Sequence, residues 1–480
     1  MIKGCLLAGV AALGLMAAPA SADELRDALA AAYTGNPTLL AAREQLRATD
    51  AGVPLARADG LPSLNGVASE TEYVRQSSMA TTDLPRLLSV TGTMSVPLYN
   101  GGAVRNAIRA ADTRVVAGRN DLRATEAGIF AQTVAAYLDV IRTEATVKLN
   151  RAQVQTLQTN LKATGDRFQI GDVTRTDVAQ SQSRLALAQG NLRNAEAGAV
   201  QARETYIQLV GKEPQDLKAP PALPGLPASP EDAVAYALEH NPDLNAARER
   251  SKAAGFDTSA ARASRLPKLS VVANGGYTNY LNSLSVAGVP KSALPESITT
   301  ADVSLRATIP LYQGGRPSAQ IKQAQARQGQ AMDQEIAVER QVIASVRAAY
   351  ASYRAAGQIV ASTTTAVEAA ELSLRGVRAE NSVGSRTVLD ILNAEQELVN
   401  AQVQLVTAQR NAYVAGFSLL SAIGRAGAKE LGLDGGALYD PETHYRAARS
   451  ELGDWGGDGV QGAGVPTRTV DSKAIAGPNP

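Results

Sequence analysis

The side chains able to do covalent or metal chemistry are few: the chain holds one cysteine, Cys5, and two histidines, His240 and His444. Neither histidine has a cysteine or second histidine at metal-ligand spacing, so no metal site is expected. Gly101-Gly102 and Gly314-Gly315 are not followed by the Gly-Lys-Ser/Thr that a phosphate loop requires. No enzyme activity and no cofactor are therefore expected. The polar pattern that remains is a duplicated Thr-x-x-Asp, Thr174 to Asp177 and Thr387 to Asp390, with Arg386 beside the second copy. Such a pair caps a helix, because the threonine oxygen takes a free backbone N–H and the carboxylate meets the positive end of the helix dipole.

The elements that position these residues are also duplicated. At an offset of 205, Asp27 to Leu64 matches Asp232 to Leu269 at 18 of 38 positions, including Asn36-Pro37 against Asn241-Pro242. Further on, Pro97-Leu98-Tyr99-Asn100-Gly101-Gly102 matches Pro310-Leu311-Tyr312-Gln313-Gly314-Gly315, and Ala135-Ala136-Tyr137 matches Ala348-Ala349-Tyr350. Two structural repeats, 23–211 and 231–424, are joined by a proline-rich linker over 212–230. Each Gly-Gly opens a long proline-free run, broken midway by Gly171 or Gly384, which predicts helical hairpins at 102–211 and 315–424. A helix from Gly102 to about Gln169 would be on the order of 100 Å long, far beyond a globular core. Leu398, Ala401, Leu405, Ala408, Ala412, Ala415, Leu419 and Ala422 follow the spacing of a coiled-coil seam, and Leu185 to Leu209 repeats it.

Between the Leu-Pro and Pro-Leu-Tyr signals the period changes to two. Val90, Gly92, Met94, Val96 and Leu98 alternate with polar residues, as do Val303, Leu305, Ala307, Ile309 and Leu311. These predict amphipathic β-hairpins at about 63–98 and 268–311, with strands long enough to cross a bilayer at a tilt. Four strands cannot close a barrel, and open edges in lipid leave amides unpaired, so several copies sharing one barrel is the expected remedy. Residues 1–22 read as a signal peptide, with Lys3, an apolar run and Ala20-Ser21-Ala22; Cys5 precedes that run, so no lipid attachment is expected. Residues 425–480 fall outside the repeat and are expected to form an equatorial segment and a disordered tail. A formal charge of +1 gives nucleic acid no electrostatic footprint.

In this order the duplicated motifs, with Val383-Gly384-Ser385-Arg386-Thr387 and Asp390, resemble the TolC-like outer-membrane channel family of Gram-negative bacteria. The resemblance implies a mainly α fold with a β-barrel part. A homotrimer would share one 12-stranded barrel among outer-membrane lipids, and the helical hairpins would form an α-helical barrel through the periplasm. It implies an exit duct for type I protein secretion or small-molecule efflux, partnered by a periplasmic adaptor (membrane fusion) protein and an inner-membrane ABC or proton-driven transporter. It also implies a closed tunnel end at the two midway turns, where Arg386 pairs with Asp177 and contacts Thr176. Asp390 from three chains would ring the constriction. Asn393 stands where relatives often carry a second Asp, and Asn381 where a Tyr adds a gating hydrogen bond. The competing expectation is an exported periplasmic coiled-coil scaffold or adaptor without a pore, which accounts for the helices but leaves the amphipathic strands unexplained.

Overall fold

The computed structural model describes residues 25–75, 81–433, 438–451 and 453–455. The expected signal peptide and the segment from Gly456 to Pro480 lie outside these residues. The first repeat runs α1 (Leu25–Gly35), α2 (Pro37–Asp50), α3 (Gly52–Ala58), β1 (Ser63–Glu72), β2 (Thr82–Asp83), β3 (Arg86–Tyr99), α4 (Ala103–Gln169) and α5 (Arg175–Val210). The second runs α6 (Pro230–His240), α7 (Pro242–Arg262), β4 (Lys268–Asn279), β5 (Ser285–Val286), β6 (Ser297–Thr308), α8 (Arg316–Ser382) and α9 (Val388–Ile423), and α10 (Pro441–Ser450) follows.

The duplicated motifs do the same work in both halves. Asn36 and Asn241 cap α2 and α7: Asn36 Oδ1 accepts from the Thr38 and Leu39 N–H groups, and Asn241 Oδ1 from that of Leu244. The proline that follows sits where a helix needs no N–H. Each amide group also reaches a carbonyl near the end of a long helix, Asn36 to Leu209 O at 3.1 Å and Asn241 to Ala422 O at 2.9 Å. The repeated tyrosines hold the linker, since Tyr137 donates to Lys218 O and Tyr350 to Ala228 O, both at 2.7 Å. Gly211 and Gly424 end α5 and α9 in left-handed conformations. At Gly424 a Cβ would stand 2.6 Å from His240 O, so no other residue fits without displacing backbone.

The two hairpins merge into one antiparallel sheet of order β1-β3-β4-β6, while β2 and β5 pair separately. Alternation places Leu64, Val90, Met94, Ala273, Tyr277, Val303 and Leu305 on one face. On the other, Thr93 donates to Asn274 Oδ1 at 3.2 Å and Asn274 to Asp302 Oδ2 at 3.0 Å. Gly66, Gly92, Gly275 and Ala301 share one row across all four strands, and small residues in line let a sheet bend sharply there. Ile309 and Leu311, expected in the strand, lie beyond it: β6 stops at Thr308, opposite Lys268, where β4 begins. Pro310 has no N–H with which to extend the ladder. Among the described residues no helix is long and apolar enough to cross a membrane.

The main core is an equatorial girdle. Leu29, Tyr33, Leu39, Phe130, Tyr137, Tyr206 and Phe417 bury one another where α1 and α2 pack on α4, α5 and α9. A smaller counterpart joins Ala233, Leu244, Val346, Leu419 and Ile423 from α6 to α9. The histidines take packing roles: His444 Nδ1 lies 2.9 Å from Oδ2 of the buried Asp50, and His240 stacks on Tyr236 with centroids 4.0 Å apart.

Candidate functional site

The two midway turns are built alike. At the end of α4, Gly171 is left-handed and its N–H bonds to Phe168 O, while the Asp172 N–H bonds to Arg167 O. At the end of α8, Gly384 is left-handed, and its N–H and that of Ser385 bond to Asn381 O and Glu380 O. The chain then enters α5 and α9 through matching capping boxes. Thr174 and Thr387 accept from the N–H groups of Asp177 and Asp390, and each aspartate accepts the threonine's own N–H and hydroxyl. Hydrogen bonds from the Thr174 hydroxyl and N–H hold Asp177 below the usual carboxylate range. Those from the Thr387 N–H and hydroxyl do the same to Asp390. Each turn exposes an aliphatic side chain at its tip, Ile170 and Val383, both 79% exposed.

Each turn also has its own ion pair. Arg167 Nε stands 2.6 Å from Asp172 Oδ2, and Arg386 Nε stands 2.7 Å from Glu380 Oε2. Within one chain Arg386 is thus brought to Glu380 and not to Asp177, whose carboxylate is occupied by Thr174. Thr176 is exposed in the first turn of α5. Asn381 donates to Arg386 O at 2.7 Å and so braces the turn that carries Arg386. Asn393, exposed one turn into α9, accepts from Arg184 of α5 at 2.7 Å, which ties the two hairpins together.

Sequence reasoning missed the other ties between hairpins. Glu395, 3% exposed, accepts from Arg378 of α8 at 2.9 Å and from Asn160 of α4 at 3.0 and 3.1 Å. Arg410 of α9 reaches Asp139 of α4 at 2.7 Å. The available signal was a glutamate one position off the Leu/Ala seam of α9, where a charge must be either paired or exposed.

The family described as outer membrane efflux protein matches residues 28–212 and 233–425, both repeats. Outer membrane efflux protein BepC of Brucella suis is 33% identical over 94% of both chains. Outer membrane protein TolC of Vibrio cholerae is 26% identical over 86% of this chain and 93% of its own. Among solved structures, the CmeC outer membrane channel of Campylobacter jejuni superposes with a TM-score of 0.73 over 90% of both chains at 16% identity, a likeness of fold.

Proposed function

The chain belongs to the outer membrane efflux protein family, export channels of the Gram-negative outer membrane, and from that premise we propose that three copies assemble into one duct. Cargo, small molecules or secreted protein, would pass from an inner-membrane ABC or proton-driven transporter through a periplasmic adaptor into the tunnel, and out through the barrel. The observation that carries this reading is the four-stranded sheet with β1 and β6 at its open edges and an exposed apolar face. In lipid each unpaired edge amide costs several kcal/mol, so β6 of one copy must pair with β1 of the next until the ring closes.

The helices support the same assembly. α8 is as long as α4, yet it buries only Ile321, Val342, Val346, Ala356, Ala370 and Leu374, and it exposes Met332, Ile336, Ile359 and Leu372. Those apolar side chains are positioned for neighbouring copies. At the tunnel end, Arg386 of one copy would meet Thr176 and Asp177 of another in exchange for Glu380, and three Asp390 carboxylates would ring the constriction. Like-charge repulsion there opposes the capping bonds that lower Asp390 within one chain. Asn393 in place of a second acid makes the ring less cation-selective, and Asn381 braces the Arg386 turn. Ile170 and Val383 at the tips offer an adaptor an apolar foothold. Membership of a channel family leaves the pore-free scaffold without support.

The deciding measurement is the native mass in detergent of protein extracted from an outer-membrane fraction. A species near three times the mass of the processed chain, itself somewhat below 49.9 kDa, is expected. A monomer or dimer released without detergent would overturn the shared barrel.

A further inference from the structure

The polar face of the four-stranded sheet is its inner face. On the central strands its side chains are the less exposed, Val272 at 5% against Val90 at 45% on the apolar face, as on the inside of a curved sheet. With the apolar side chains turned to lipid, this face lines the lumen of the proposed barrel. Alternation from Asn274 and Asp302 puts Lys268 and Arg306 on it as well. Lys268 stands opposite Thr308 and Arg306 opposite Ser270. The two cations are therefore diagonal neighbours, about 7 to 8 Å apart. Both are exposed, and among the described residues neither takes an ion pair.

No acid on the strands compensates them. β1, which closes the ring against β6 of the next copy in the proposed assembly, brings Ser63, Asn65, Val67, Ser69 and Thr71 to this face, while its Glu70 and Glu72 lie on the other. Asp302 shares the face, and its Oδ2 accepts from Asn274 at 3.0 Å. It is four residues from Arg306, about 13 Å along the strand, beyond the screening length of about 8 Å at physiological salt. The first repeat has no equivalent charges: Ser63 and Thr93 stand where the second has Lys268 and Arg306. The pair lies at the helix end of the sheet, since β4 begins at Lys268 a few residues after α7 and β6 ends at Thr308 shortly before α8.

We propose that Lys268 and Arg306 form a basic collar inside the barrel where it meets the helical tunnel, and that this collar draws anionic groups of the cargo, carboxylates or phosphates, toward the exit. It rests on the duct reading, which places two cations from each of three copies around one water-filled lumen. Between low-dielectric walls, charges of one sign focus their field on the channel axis, and rings of lysine and arginine favour anions. The collar is opposite in sign to the Asp390 ring proposed at the far end of the tunnel. An anionic group repelled at that end is favoured once it reaches the barrel.

The test is block of single-channel current by inorganic tripolyphosphate, added on the barrel side of the full-length protein in planar bilayers. Wild type is compared with Lys268→Gln/Arg306→Gln and with the charge-keeping Lys268→Arg/Arg306→Lys. Neither side chain has a partner to lose, so folding is retained. In water a cation about 8 Å from the blocker changes its affinity roughly twofold per anionic charge. Removing both cations from every copy should raise the half-blocking concentration about tenfold or more at physiological salt, and the gap should close in 1 M salt. The charge-keeping variant should block as wild type does. A wild type that is not blocked, a glutamine variant blocked at the same concentration, or a charge-keeping variant that behaves like the glutamine one overturns the collar, while the current itself leaves the duct standing. A wild type that passes no current overturns the duct reading and the collar with it.

Discussion

The duplicated Asn-Pro makes a prediction whose size follows from the contacts. Asn36 and Asn241 are 3% and 5% exposed, and each spends its side chain twice. The oxygen caps a helix, and the amide group reaches Leu209 O or Ala422 O, carbonyls in the last turn of α5 or α9 where helical partners run out. Replacing either asparagine by alanine removes the cap, about 1 kcal/mol, and leaves a part-buried carbonyl without its donor, about 1 to 2 kcal/mol more. Serine keeps an acceptor able to cap but cannot reach the carbonyl, so Asn241→Ser should lose only the second part. The assay is the half-life of the helical circular dichroism signal in detergent at one fixed temperature, since proteins of this kind are governed by unfolding rate. If the contacts are absent from the unfolding transition state, each 1.4 kcal/mol shortens the half-life about tenfold. Alanine at 2 to 3 kcal/mol then gives about 30- to 140-fold, and serine about 5- to 30-fold. Asn36 should behave in parallel. Serine indistinguishable from wild type would show that the tether to the long helix contributes nothing, and serine equal to alanine would remove the cap from the account.

Glycine substitutions should separate strain from collision. Gly211→Ala places a Cβ in open space at φ +80, whereas Gly424→Ala also meets His240 O at 2.6 Å. The first should cost about 1 to 2 kcal/mol and the second distinctly more, read as the ratio of the two half-lives. Arg386→Ser should raise the closed-state conductance while Glu380→Gln, which frees Arg386 from its own turn, should not. Equal effects would assign the role to the turn itself and end the contact between chains. The capping boxes set a pH window. Asp177 and Asp390 are both held below the usual carboxylate range, so their contribution is fully present above that range and is lost as pH falls through the lowered values. Hydrogen-exchange protection of the Asp177 turn, which lies outside the proposed carboxylate ring, should be flat from about pH 7 to 5 and fall below about pH 4; loss already at pH 5 would contradict the assignment.

Periodicity and duplication carried most of the fold. The strand alternation and the glycine punctuation are local signals, and each occurs twice, so a chance match in one repeat is checked by the other. The boundary at Thr308 was less legible because Ile309 and Leu311 continue the alternation after the ladder has lost its partner. At the turns, Thr-x-x-Asp gives the capping boxes directly, because both partners lie within one helical turn. The partner of Arg386 was not readable in the same way. Glu380 stands six residues before it, across a glycine in a left-handed conformation, and the chain path through that turn decides which carboxylate comes within reach. Asn160 and Glu395 are separated by 235 residues, and neither half contains the other's signal.

The distribution of apolar burial along the long helices connects these details to an export duct. Near the equator, α4 buries Phe130, Val134, Tyr137, Leu138 and Val140, and the short helices wrapped there add Leu39, Leu46 and Leu244. Separating those surfaces would expose several large side chains at about 1.5 to 3 kcal/mol each, so this belt is fixed. Toward the turns the same helix buries only Val154 and Leu157 among large apolar side chains, beside Gln153, Asn160 and Thr164, whose polar groups lose little on meeting water. A coiled coil packed uniformly with leucine would hold the tunnel end as firmly as its middle and would need a large input to open. The graded interior instead holds the end with one small apolar cluster, Val154, Leu157, Ala188 and Leu392, and a few charged and polar contacts, Glu395 with Arg378 and Asn160, and Arg184 with Asn393. Contacts of this kind are short-ranged and replaceable by water or by a partner's side chains. The end is therefore the part of the helical hairpins that yields at least cost, and the equatorial belt the part that keeps its shape.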